Sequence, residues 1–430
     1  MLELLDLRER GERLDATRLE TDPTVADTVA GILQRVFVEG DEVLIELAHR
    51  FDGAELEEGG VLVTGAEFAE AERTTPPELR AALDDLIERL KDLAARQLPR
   101  DWWDERDGVR FGEIVRPLES VGCYVPGGRA VYPSSVCMTV VPAVVAGVGE
   151  IVLCTPPQKN GSIPAPVLYA ARKAGAHYVA KTGGAQAVAA MAYGTESVPR
   201  VDRIVGPGNA YVTEAKRQVA GSVGIDGLAG PSELAIVADG GVDIDMAALD
   251  LIAQAEHDPE ARTFFITPDP DLVDRVAKAL DEALEDAGRR EIVDAALDYT
   301  KAVLVRDLAQ AAEVVNDLAS EHLLLLLDDP EGFLPSVRNA GAVFLGTWSA
   351  VPFGDYGVAS NHVLPTAGTA RFSSGLRASD YVTVSSVVQL DKGAAARFAP
   401  GTAAIARAEG LVGHARAMDA RAGTAEVLEP

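Results

Sequence analysis

Between residues 118 and 240, short apolar runs alternate with stretches of helical spacing. Val121–Val125, Ile151–Thr155, His177–Lys181, Arg203–Val205 and Leu234–Val237 read as strands, with helices predicted at 138–147, 164–174, 185–194 and 209–220. Strands without a polar side, separated by helices, are the pattern of βαβ units on a parallel sheet covered on both faces. A second series follows, with helices at Met246–Glu256, Leu272–Ala287 and Gln310–Leu318 and strands at Thr263–Thr267, Ala302–Val305 and Ala342–Leu345. The predicted fold is α/β: two doubly wound, incomplete Rossmann-like halves with a boundary near 230–240.

The flanks are different. Residues 1–20 are charged and helix-prone and read as an N-terminal helical arm, followed by a helical block from Ile32–Phe37 to Leu79–Arg96. From about 378 a β-like run, Tyr381–Val388, precedes an alanine-rich helix at 393–409. That tail is too small to stand alone and is expected to pack on something else. The expected domains are the arm 1–20, a first α/β domain of 21–120 with 234–377, a second of 121–233, and the tail 378–430.

The 430 residues carry 67 acidic and 39 basic side chains, a net charge of −28. Such a surface repels nucleic acid and anionic membrane and attracts a small cationic substrate. Only eight of the cations are lysines. Acidity with little lysine is the composition of a protein adapted to molar salt, where self-repulsion is screened. The expected result is a melting temperature that rises between about 0.1 M and about 3 M KCl, as the screening length falls from about 10 Å to under 3 Å; an unchanged melting temperature would overturn it. No apolar run reaches the length of a membrane span, and Met1–Asp6 lacks the order of a signal peptide, so a soluble cytoplasmic protein is expected. Cys123, Cys137 and Cys154 are odd in number, lie in apolar stretches and read as buried small residues in a reducing compartment.

Three glycine turns compete for a ligand-binding role, since no G-x-G-x-x-G follows the first strand. They are Pro126-Gly127-Gly128, Gly183-Gly184-Ala185-Gln186 and Gly206-Pro207-Gly208-Asn209, each after a strand. Alone, any of them is an ordinary tight turn. Three in successive units stand where open α/β sheets bind ligands, with helix N-termini ready for phosphate.

Four of the six histidines sit beside a carboxylate or amide in the C-terminal half: His257, His322, His362 and His414. Gln254 and His257, three apart on a predicted helix, share one face and can reach one ion. Asp355 follows a Pro352-Phe353-Gly354 turn and adds a carboxylate; imidazole, carboxylate and amide oxygen suit zinc. Spacing alone does not close such a site. Glu321-His322, alone a solvated helix end, beside these motifs reads as an acid–base pair. His49 and His177 have no such company and take no role.

Together the motifs resemble the histidinol dehydrogenase family. The stretches that carry the resemblance include Tyr124-Val125-Pro126-Gly127-Gly128, Gly183-Gly184-Ala185-Gln186-Ala187, the run Val205–Lys216, Gly230-Pro231-Ser232-Glu233, Gln254-Ala255-Glu256-His257, Ser320-Glu321-His322-Leu323, Gly354-Asp355-Tyr356, Ser360–Thr366 and Glu409-Gly410-Leu411, in order over roughly 20–415. The resemblance implies a zinc-dependent homodimer, one zinc per subunit, that oxidises L-histidinol to L-histidine through bound L-histidinal with two NAD+. It implies zinc ligands Gln254, His257, Asp355 and His414, the last from the partner's tail. It implies substrate contacts from Ser232, His362 and the partner's Glu409, from the zinc ligands, and from Glu321 and His322. Glu321 would activate water, and His322 would take the alcohol proton. NAD contacts would come from Tyr124, Gln186 and Asn209. The alternatives are a paralogue acting on another alcohol or amino alcohol, a zinc hydrolase, which would leave the glycine turns without a task, and a non-catalytic binding protein.

Overall fold

The structure is a computed structural model and describes residues 2–9, 14, 22–57, 59–127, 130–358 and 360–422. The chain divides into two compact units, Met1–Gln97 with Leu118–Tyr381, and Leu98–Pro117 with Val382–Pro430.

The larger unit holds two sheets, each wholly parallel. The first runs in the order Tyr178–Lys181, Glu150–Thr155, Ser120–Tyr124, Arg203–Val205, Gly224–Ile225. Helices Pro133–Ala146, Ala165–Ala174, Gly184–Tyr193 and Ala210–Val219 connect and cover it. Successive side chains enter opposite cores: Val121, Cys123, Ile151 and Leu153 one, Val152, Cys154 and Ile204 the other. This two-sided burial is why the strands read as unbroken apolar runs. The three cysteines are buried and unpaired.

Three earlier helices also belong to this sheet. Pro23–Glu39 packs on Gly184–Tyr193 and Ala210–Val219, Gly65–Thr74 on Ala165–Ala174, and Pro77–Gln97 on Pro133–Ala146. Their stripes, Val29-Ile32-Leu33-Val36 and Leu83-Leu86-Ile87-Leu90, join its two cores. Residues 23–97 therefore group with 121–233 and not, as expected, with 234–377. An apolar stripe states that a helix face is buried but not against which sheet.

The second sheet has six strands, ordered Glu3–Asp6, Thr300–Leu304, Arg262–Thr267, Glu233–Ala238, His322–Leu326, Ala342–Leu345. Two of these differ from expectation. The opening residues are not a helical arm at Glu3–Asp6, which form a strand with Leu4 opposite Ala302 and Leu5 opposite Val303. The free parallel edge of Thr300–Leu304 overrides their helical propensity; residues 10–13 and 15–20 of the expected arm lie outside the described residues. His322–Leu326 is a fully buried interior strand to which the sequence assigns no element, because a short leucine run has no period of its own.

The smaller unit joins a hairpin to the tail. Trp102–Arg106 and Val109–Pro117 turn at Asp107-Gly108, both at positive φ (52° and 74°), and Val382–Leu390 pairs antiparallel with Val109–Pro117. An Asp-Gly pair with both φ positive is a favoured two-residue hairpin turn. The hairpin had been placed with the first α/β domain; the long ladder with Val382–Leu390 assigns it to the tail. Helices Lys392–Ala408 and Val412–Ala422 follow. Among the described residues no helix is long and apolar enough to cross a membrane.

Candidate active site

In the six-stranded sheet the polar residues gather at the strand starts, whereas the glycine turns of the other sheet stand at strand ends. Helix Ile244–Ala255 explains the difference: it leaves the end of Glu233–Ala238 and runs back, returning Gln254 and His257 toward the strand starts. The helix stops at Ala255, short of the predicted end. His257 lies in the turn beyond it, its N–H donating to Gln254 C=O at 3.2 Å. The two are therefore linked by a turn and not by a shared helix face.

Asp355 ends the short helix Val351–Asp355 and is buried. Its Oδ2 lies 3.6 Å from His257 Nε2 and its Oδ1 3.8 Å from His322 Nε2. One backbone residue then fixes both members of the Glu321-His322 pair. The Glu233 N–H donates to Glu321 Oε2 at 3.0 Å, and its C=O receives His322 Nδ1 at 3.2 Å. A carbonyl only accepts, so Nδ1 carries the proton and Nε2 holds the bare lone pair. His362 is locked likewise: Nδ1 donates to Asp355 C=O at 2.9 Å, leaving Nε2 to accept from Ser135 Oγ at 2.9 Å. Ser135 and Glu233 were not picked out by sequence reasoning as groups that orient the site; Glu233 acts through its backbone, which leaves no side-chain signature.

Burial sets the electrostatics. It pushes Glu321 well above the usual carboxyl range, with the charges of Glu233 and Asp355 adding to the rise and the Glu233 N–H opposing it. It pulls His322 down to about 4 against the pull of Asp355. His322 is thus a neutral base at ordinary pH. Burial would raise Asp355 too, but the His257 hydrogen bond and the neighbouring histidines hold it low.

Glu233, only 5 % exposed, has one carboxylate oxygen without a hydrogen-bond partner, and burial lifts it from 4.5 to about 7. A carboxyl raised on folding lends stability that is full below its unfolded value and lost as pH rises through about 7. Glu233→Gln should therefore gain stability relative to the parent between pH 5 and 8, by up to about 3 kcal/mol. Paired thermal melts across that range check it; a difference that does not move with pH would refute the assignment.

Gln254 is 2 % exposed, and neither its amide oxygen nor its nitrogen has a partner. Buried amides are normally satisfied, so an orphan beside the His257–Asp355 pair marks a donor set suited to a metal. Among the described residues no three His, Cys, Asp or Glu side chains form a complete metal cluster. Glu409 and His414 belong to the smaller unit, where both are exposed.

A cleft of about 3210 Å³ is lined by Ser232, His257, Glu321, His322, Asp355 and His362 and also by Tyr124, Gln186 and Asn209. Tyr124 OH accepts the Gly184 N–H at 3.1 Å, joining the first two glycine turns. Asn209 caps helix Ala210–Val219, its Oδ1 accepting from Tyr211 and Val212 N–H, and the residue lines the cleft. Gly206 sits at φ 116°, and a Cβ there would come within 2.1 Å of Tyr124 O. Gly128, in the first turn, lies outside the described residues. His177 Nδ1 accepts the Ile151 N–H at 3.0 Å, a structural bond, and His49 is exposed.

The family profile described as histidinol dehydrogenase matches residues 16–422. A histidinol dehydrogenase of Halalkalibacterium halodurans is 47% identical over 397 residues, covering 92% of this chain and 93% of its own. That of Moorella thermoacetica is 47% identical over 424 residues, covering 98% and 100%. The crystal structure of histidinol dehydrogenase from Elizabethkingia anophelis superposes with a TM-score of 0.93 at 31% identity, covering 98% of each chain. With the motifs in order along the matched length and the same fold throughout, the chain belongs to the histidinol dehydrogenase family.

Proposed function

We propose that the protein oxidises L-histidinol to L-histidine through bound L-histidinal, the last reaction of histidine biosynthesis, with two NAD+ as hydride acceptors, in the cytoplasm. The observation that carries the reading is the Glu233 backbone clamp, which holds Glu321 and His322 beside the His257–Asp355 pair.

Gln254, His257 and Asp355 would hold the zinc, with His414 of a second subunit completing the set. Zinc would supply a Lewis-acidic anchor for the substrate's imidazole and amine. His322 Nε2 takes the hydroxyl proton as the first hydride departs. Glu321, whose carboxyl burial holds well above the usual range, exchanges protons with the water that adds to the aldehyde. His322, having released the first proton to solvent, then accepts the proton of the hydrate as the second hydride leaves. Ser232, His362 and the partner's Glu409 bind the substrate, with Ser135 fixing the His362 ring. Tyr124, Gln186 and Asn209 receive NAD+ at the glycine turns. The buried position of the pair keeps the aldehyde from side reactions.

Two features support a homodimer with a shared site. The larger unit has an incomplete donor set among its described residues, and Trp348 and Phe372 are 82% and 80% exposed, apolar surface that a partner would cover. Mixing His414→Asn with His322→Asn subunits should restore part of the activity; none from verified mixed dimers would exclude the shared site. The proposed activity itself is tested by the NADH yield in about 2–3 M KCl. Two NADH per histidinol, lost on chelation and regained with zinc, is the expected result, and no turnover by folded, zinc-loaded protein would defeat the reading.

A further inference from the structure

Lys216 is the most buried Lys or Arg among the described residues, at 3% exposure, and the reaction as proposed gives it no task. It projects from helix Ala210–Val219 back to the turn that opens that helix. Its Nζ donates to Gly206 C=O at 2.6 Å and to Asp226 Oδ1 at 2.5 Å. Asp226 Oδ2 in turn accepts the Gly206 N–H at 2.7 Å, and its Oδ1 also accepts the Gly227 N–H at 2.7 Å. Both polar atoms of Gly206 are thus held by one buried ion pair.

The location makes this more than local packing. The Gly206 turn is pressed on the strand end carrying Tyr124, where a Cβ would collide. Asp226 begins the loop that leads to Ser232 and Glu233. That loop is pinned again by Thr213 Oγ1 to Ala229 C=O at 2.8 Å and by Gly230 N–H to Thr366 Oγ1 at 2.6 Å. Gly206, Lys216, Asp226 and Ser232 line one cleft. A buried ion pair is a costly way to gain stability, since two ions must be desolvated. Its charged hydrogen bonds give a definite geometry instead.

We propose that Lys216 and Asp226 are positioning residues for the dinucleotide: they hold the 206–209 turn in the shape that receives it and tie that turn to the loop ending at Ser232. The inference rests on the NAD+ reading above. Neither residue touches the reacting atoms.

The test uses the full-length, zinc-loaded protein and Asp226→Asn, which keeps an acceptor for Lys216 but loses the acceptor for the Gly206 N–H. The readouts are NADH affinity by fluorescence, histidinol affinity by calorimetry, and amide exchange at 206–209. NADH affinity should fall about tenfold, the order of one hydrogen bond to a charged group. Exchange at the turn should quicken, and histidinol affinity should stay within about twofold, a change under half a kcal/mol. Unchanged NADH affinity in folded variant overturns the proposal, as does an equal fall for both ligands in step with a lower melting temperature. Parent protein that binds no NADH overturns the dinucleotide reading and this inference with it, a result separable from the others because it needs no variant. If Asp226→Asn does not fold, Lys216→Met with Asp226→Asn carries the same readouts, because removing both charges of a buried pair is tolerated better than removing one.

Discussion

His322→Asn should lower the rate of histidinol oxidation by about 10²–10⁴-fold, the usual contribution of a positioned general base. Asparagine is a demanding replacement here. Its amide N–H can still donate toward Glu233 C=O, so the strand start keeps a hydrogen bond where His322 Nδ1 now makes one at 3.2 Å. What is lost is the basic lone pair on Nε2, which faces Asp355 Oδ1 at 3.8 Å. Steady-state kinetics with histidinol, beside a thermal melt of the same variant, decide the matter. Activity within about fivefold of the parent, far below the usual loss, would remove His322 from its role. Activity lost together with the cooperative melt would show a folding defect instead.

Glu321→Gln should separate the two oxidations. The side chain is 7% exposed, and its Oε2 accepts the Glu233 N–H at 3.0 Å, a bond the glutamine oxygen can keep. Glutamine cannot exchange a proton with water. Oxidation of supplied L-histidinal should therefore fall by about 10²-fold or more, within the range for acid–base catalysis, while reduction of NAD+ by histidinol in a single turnover should fall much less. Equal loss in both half-reactions would break the division of roles between Glu321 and His322.

The sequence made much of this legible. The five short strands at 121–125, 151–155, 177–181, 203–205 and 234–237 lie in observed strands to within a residue or two, because burial on both faces makes their side chains mostly apolar. The three glycine turns were legible from their dipeptides and their place after strands. The hairpin at Asp107-Gly108 carries a signal too, the Asp-Gly pair, but its strands mix charged and apolar positions and form no unbroken apolar run. His322–Leu326 was not legible, since a short run of leucines suits a buried helix as well as a strand.

By itself, then, the sequence determined the local chemistry: which segments are buried strands, which turns need glycine, and the ordered motifs that place the chain in its family. The tertiary structure decided what those segments meet. It assigned the helices of 23–97 to the five-stranded sheet and made Glu3–Asp6 an edge strand. It brought Glu321, His322, His257, Asp355 and His362 together from segments up to 105 residues apart (His257 to His362). It also gave the orienting tasks to a backbone, that of Glu233, and to a buried ion pair, Lys216–Asp226. The reason is physical. Periodicity and turn preference act over a few residues, whereas the proton position on His322 and the shape of the Gly206 turn are set by partners that only the folded chain places within hydrogen-bond reach.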